Sequence, residues 1–266
     1  MTENTDDIPK AVLWSAPRCI TTAFERSIRA HGDIKVYHEV YTNAAYTGEE
    51  RFFPHFQDSD VISGWKFSDV KKLLESPPTG YRGVFAKENA YCIPEHRRSN
   101  ALPDGYRHTF LIRQPERSVT SFHKLLTKPD KPVGWSKIHP GEVGFLEMWE
   151  LYQYIRDTKG DTPLIIDADD LLSEPALLMQ KYCNYVGFEF KESMLHWEAG
   201  PVEDWSWEGN WYDTVLKSSG FMKPSEKETT EPDVSSFPGY IQDAIRDARP
   251  YYEEMYKLRT KPCIPK

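Results

Sequence analysis

The stretch Ala11–Ile28, AVLWSAPRCITTAFERSI, constrains this chain more than any other part of it. It reads as a short apolar strand over Ala11–Trp14, a turn from Ser15 to Ile20, and a helix opened by Thr21 and Thr22. In a strand–turn–helix unit, free backbone N–H groups and the positive end of the helix dipole converge on one point, which suits an anion. Arg18 adds a full charge there, the two threonines add hydroxyl donors, and Pro17 stiffens the turn by fixing φ. The unit reads as a phosphate cradle. It is not the nucleotide-triphosphatase loop G-x-x-x-x-G-K-[ST], because both glycines and the lysine are missing.

The rest of the chain repeats the alternation. Strands are expected at Ile34–Tyr41, Gly83–Lys87, His108–Arg113 and Pro163–Asp167. Helices are expected at Thr21–Ala30, Phe67–Glu75, Glu116–Leu126, Glu142–Thr158 and Pro175–Val186, with Ile241–Lys257 as terminal helices broken near Pro250. In Ile34–Tyr41, Val36, His38 and Val40 fall on one face and Tyr37, Glu39 and Tyr41 on the other. Such alternation predicts an α/β fold of three layers, a mainly parallel sheet flanked by helices. Ligands of such sheets sit at the carboxyl ends of the strands. Arg18, Glu39, Lys87 and Arg113 all fall at or just past those ends.

Composition removes several function classes. The 266 residues carry 33 basic and 41 acidic side chains, a net charge of −8, which disfavours a nucleic-acid surface or an extended polyanionic acceptor. The four cysteines, Cys19, Cys92, Cys183 and Cys263, lack the spacing of a disulfide scaffold or a zinc site. The polar, acidic start MTENTDDIPK is unlike a secretory signal, and no apolar run approaches membrane-spanning length. These features lead us to expect a reducing compartment, cytoplasmic by default, and no membrane partner.

The turn resembles the 5′-phosphosulfate loop of PAPS-dependent sulfotransferases, commonly S-x-P-R-S-G-T-T. Ser15, Pro17, Arg18, Thr21 and Thr22 match it, while Cys19 and Ile20 replace Ser and Gly. The glycine's loss matters because Ile tolerates positive φ poorly. A second stretch, FLIRQPERSVTSFHK, resembles the family's 3′-phosphate element: Arg113 ends a strand, and Ser121 lies two turns along the next helix. Arg113, Pro115, Arg117 and Ser121 match the pattern R-D-P-x-x-R-x-x-S, and Gln114 departs from it. The stretch from Asp170 through Pro175 to Gly187 is similar to the family's late strand–helix unit.

The resemblance implies a P-loop-NTPase-like sulfotransferase fold, here one domain over 1–266, with a flexible N-terminus over 1–10. Residues 191–266 would then hold a donor-closing segment and the C-terminal helices. It also implies PAPS as donor, 3′,5′-ADP as product and no metal. Pro17 to Thr22, Arg113 and Ser121 would bind the donor, with Lys217 and Ser219 as further contacts from the segment rich in Trp197, Trp205, Trp207 and Trp211. Arg18 and Lys87 would stabilise charge on the leaving group. The acceptor, expected to be a small hydroxylated molecule, needs a base. The family's cytosolic His is replaced by Asn89, which leaves Glu39, His38, Glu88 and His123. We favour Glu39, as a strand-end carboxylate between Tyr37 and Tyr41 whose pKa desolvation would raise. Two other readings stay open: a P-loop-type kinase, and a catalytically inactive nucleotide-binding module.

Overall fold

The computed structural model describes residues 8–76, 78–129, 135–205, 211–222 and 231–262. Trp207, Cys263 and the first half of the polar stretch Lys223–Pro238 lie outside the described residues. Five parallel strands form one sheet: β1 (Lys10–Ser15), β2 (Ile34–His38), β3 (Gly83–Asn89), β4 (Arg107–Ile112) and β5 (Leu164–Asp167). Their order is β2-β3-β1-β4-β5.

The side chains of β1 show why it is central. Val12 and Trp14 enter one apolar core, Ala11 and Leu13 the other, and all four are fully buried. A strand covered on both faces has to be apolar throughout, as a parallel sheet requires. The core holding Ala11 and Leu13 is covered by α1 (Thr21–Arg29), through Phe24 and Ile28, and by a helix at Pro175–Val186. The opposite core packs under α2 (Val40–Tyr46), α3 (Phe67–Glu75), α5 (Pro115–Leu126), α6 (Phe145–Lys159) and the C-terminal helix, with a short α4 (Arg98–Ala101) between β3 and β4. We number the remaining helices α7 (Ala168–Ser173), α8 (Pro175–Val186) and α9 (Gly239–Leu258). The result is the expected three-layer α/β fold.

The strand order also sets where a ligand sits. The chain leaves β1 towards β2 on one side and leaves β4 towards β5 on the other. Their outgoing loops therefore diverge over the gap between β1 and β4, the switch point at which open α/β sheets bind ligands.

Beyond the additional short helices α4 and α7 and the later start of α6 at Phe145, two differences bear on the fold. The strand expected to run to Tyr41 ends at His38, and α2 begins at Val40. Glu39 makes the break with φ 49°, and the buried Glu88 carboxylate accepts hydrogen bonds from the Val40 and Tyr41 amides (2.9 and 3.2 Å). Those amides are orphan donors of a helix start, so Glu88 acts as a cap supplied by a neighbouring strand. The C-terminal stretch, in turn, is one continuous 20-residue helix with Pro250 inside it. Ile241, Ile245, Ala248, Tyr252 and Met255 are buried along one side, and that packing carries the helix past the proline's missing donor. Among the described residues, no helix is long and apolar enough to cross a membrane.

Candidate active site

A cavity of about 850 Å³ opens over the carboxyl ends of the strands. The turn after β1 forms its floor. Arg18 and Ile20 take left-handed backbone conformations (φ 65° and 59°), and Ile20 leads straight into α1. The turn thus adopts its shape despite the β-branched side chain, at a backbone cost that is usually tolerated at functional sites. Thr21 and Thr22 line the cavity, and their first-turn amides have no acceptor within the helix. The Cys19 side chain instead belongs to the core, where burial pushes its thiol up to about 11.

Two guanidinium groups meet at the floor. Arg113, just past β4, donates from Nη1 to the Arg18 carbonyl (3.0 Å). Arg18 donates to Ser121 Oγ of α5 (3.3 Å) and to the Trp211 carbonyl (3.1 Å). Burial, and then the Arg113 charge, push the Arg18 guanidinium down to about 10. Burial likewise lowers Arg113, whose Nε is buried with no hydrogen-bond partner. Among the described residues neither arginine forms an ion pair with a carboxylate. Two like charges close together, neither in such an ion pair, make a site that favours an anion.

Lys87, on β3, forms an ion pair with Glu39 on the cavity wall. The pair is close because His38 and Lys87 are register partners, placing Glu39 one residue beyond the sheet, with its amide donating to the Lys87 carbonyl (2.9 Å). Burial alone would raise the Glu39 carboxyl, but Lys87 and His38 outweigh it and hold Glu39 below its ordinary value. The expected rise is therefore corrected to a fall. The strand alternation that put Tyr37 and Tyr41 on either side of it stops at His38, and Tyr41 is buried in α2 against Trp14.

The other base candidates are placed elsewhere. Glu88 caps α2, and burial raises its pKa well above the ordinary range. His38 lies between the buried Glu25 carboxylate (Nδ1 to Oε2, 2.5 Å) and the Tyr212 hydroxyl (2.9 Å). His123 pairs with the Tyr240 hydroxyl (3.1 Å) and does not line the cavity. Lys217 and Ser219 are also outside its lining. Their exposed side chains sit on the segment that reaches the cavity through Val215, Ser218 and Gly220. The expected contacts at 217 and 219 are thus displaced by one residue on either side of Ser218.

Sequence reasoning missed one end of the cavity. Tyr46, Tyr91, Trp135 and Trp211 form an aromatic wall there, around the carboxylate of Glu142. The signal available was the aromatic stretch around Tyr46, but nothing in it pointed to Glu142, nearly a hundred residues away. No group of three His, Cys, Asp or Glu side chains among the described residues is arranged to hold a metal ion.

A parallel sheet with a strand–turn–helix unit at its central strand and a cavity over its carboxyl ends defines a P-loop-like fold. The chain belongs to the sulfotransferase family, whose domain model matches residues 9–260. The sulfotransferase domain from the curacin biosynthetic pathway superposes with a TM-score of 0.56 at 16% identity, covering 91% of this chain and 98% of that one. Mouse sulfotransferase SULT7A1, solved in complex with PAP, gives 0.50 at 11% identity over 96% and 92%. In sequence, the chain is 32% identical over 248 residues to branched-chain-amino-acid aminotransferase-like protein 2 of Arabidopsis thaliana. That match covers 90% of this chain and 40% of the plant protein. The chain thus spans about two fifths of that relative, whose name describes a longer molecule.

Proposed function

We propose that this chain transfers a sulfuryl group from PAPS to a hydroxyl of a small molecule. The observation that carries the reading is the pair of half-buried guanidinium groups, Arg18 and Arg113, which meet at the turn and form no carboxylate ion pair among the described residues. PAPS fits such a site because it offers two separate phosphate groups. The turn from Pro17 to Thr22 would hold its 5′-phosphate, and Arg113 with Ser121 its 3′-phosphate. Bound there, the donor supplies an activated sulfuryl group for in-line displacement, a reaction governed by positioning and charge.

The residues divide the work. Arg18 and the first-turn amides would spread the negative charge left on the 5′-phosphate. Lys87 would donate a hydrogen bond to the oxygen released with the nucleotide. Glu39, ionised at neutral pH, would take the acceptor's proton. Protein cations do here what Mg²⁺ does for phosphoryl transfer.

The test is calorimetric. 3′,5′-ADP should bind without Mg²⁺ and at least about a hundredfold more tightly than 5′-AMP, the scale of a charge-assisted contact pair. Arg113→Ala should abolish the difference. Equal affinity for the two nucleotides removes the sulfotransferase reading, and a strict Mg²⁺ requirement turns the site into a kinase-type one. Donor binding without sulfuryl turnover over a panel of alcohols leaves an inactive nucleotide-binding module.

A further inference from the structure

The aromatic end of the cavity carries a carboxylate that the transfer reaction does not use. Glu142 closes a short helical turn, Pro140–Glu142, and its side chain is fully buried although it lines the cavity. Its Oε2 accepts from the His139 amide (2.8 Å) and pairs with His55 Nε2 (3.0 Å). Its Oε1 accepts the Tyr46 hydroxyl, and no other donor reaches that atom among the described residues. A carboxylate oxygen takes two hydrogen bonds with ease, so Oε1 has room for a donor from the cavity.

The surroundings define that donor. No Lys or Arg pairs with Glu142 among the described residues. Trp135 stacks on His55 with ring centroids 4.3 Å apart and lies 5.7 Å from Trp211. The Tyr46 and Tyr91 hydroxyls lie 3.3 Å apart, and burial keeps both well above their ordinary pKa, so they stay neutral. Aromatic faces around a desolvated carboxylate favour an organic cation, through ring quadrupoles and direct charge pairing. Trp135 adds a second requirement, because its Nε1–H is buried without an acceptor. A ligand that supplies both a cationic donor and an oxygen meets the two groups together.

We propose that the acceptor is a hydroxylated organic cation, an alcohol or phenol carrying an ammonium group seated against Glu142. This rests on the sulfuryl-transfer reading. The acceptor oxygen forms the new bond to sulfur, the sulfur–oxygen bond to the 5′-phosphate breaks, and the hydroxyl proton passes to Glu39. A neutral acceptor leaves Glu142 Oε1 with the Tyr46 hydroxyl as its one donor among the described residues, and an anionic one is repelled by the carboxylate.

Charge-matched probes test this by titration into the chain, both free and saturated with 3′,5′-ADP. The probes are tyramine, para-propylphenol and para-hydroxyphenylpropanoate. The cation should bind at least about tenfold more tightly than the neutral probe, and the anion weakest. Glu142→Gln should bring the cation-to-neutral ratio close to one while 3′,5′-ADP still binds. A neutral probe that binds as well as its cation overturns the proposal, as does a ratio unchanged by Glu142→Gln. If Glu142→Gln does not fold, the order of the three charges on the unmodified chain decides alone. Failure of 3′,5′-ADP to bind counts against the donor reading, and the titrations into the free chain still report the charge order.

Discussion

Lys87 and Glu39 sit against each other at the ends of neighbouring strands, one almost fully buried, the other 16% exposed. Because Lys87 holds the Glu39 carboxyl low, the proposed base is ionised throughout the neutral range. Glu39→Gln keeps the shape and removes the proton acceptor, so turnover should fall by at least about 10²-fold. Affinity for 3′,5′-ADP should hardly change. The activity of the unmodified chain should be lost only as pH falls below the ordinary carboxylate range of about 4.3, and that acid limb should vanish in the variant. Full activity in Glu39→Gln would move the base elsewhere. At this scale the sequence is unevenly legible. Arg18, Arg113 and Ser121 are readable because each stands at a strand end or on the helix face that follows one. Lys217 and Ser219 fall outside the cavity lining, and an irregular segment has no periodicity to say which side chain turns inward. Glu39 is readable as a strand-end carboxylate, but its environment depends on a left-handed residue that no local pattern announces.

Elements are more legible than single residues, since burial on both faces of a parallel sheet writes itself as short apolar runs. All five strands and the helices Phe67–Glu75 and Pro175–Val186 are visible in this way. The start of α2 is hidden because its cap comes from Glu88, 48 residues beyond Val40. α9 is misread for the opposite reason: Pro250 is a strong local signal that tertiary packing overrides. Pro250 is exposed and is not among the buried residues of α9. Pro250→Ala should restore a backbone donor and raise stability by about 1–3 kcal/mol, read as a higher denaturant midpoint at constant slope. An unchanged or lower midpoint would show that the proline fits α9 without strain.

For the whole molecule, the sheet and the C-terminal helix are joined through Asp167. This carboxylate at the end of β5 accepts hydrogen bonds from the Asp169 and Asp170 amides (3.0 and 3.3 Å) and from the Tyr252 hydroxyl of α9 (3.0 Å). Burial, followed by the nearby Asp169 charge, pushes its pKa up to about 6. An acid raised on folding keeps its proton in the native chain after the unfolded chain has lost it. Its contribution to stability therefore falls as pH rises from about 4 to about 6, by about 3 kcal/mol. Asp167→Asn removes that fall. Relative to the unmodified chain, the variant should gain stability across this window in denaturant titrations at a series of pH values. Parallel pH profiles for the two would place the Asp167 proton elsewhere. This coupling joins positions 167 and 252, far apart in the chain, and only the folded arrangement brings it into view.

Among the described residues, the three non-glycine residues held at positive φ, Arg18, Ile20 and Glu39, all border the same cavity. Each keeps a conformation that costs an ordinary L-residue about 1–2 kcal/mol and costs glycine almost nothing. Random drift therefore has an easy downhill step at each of these positions. Taking it at 18 or 39 would relax the backbone and delete a charge from the cavity. At 20 it would strip the side chain that packs the turn against the core beneath α1. A search that selects variants for heat resistance alone would be drawn to these positions, and its winners would be sturdier proteins with a blunted site.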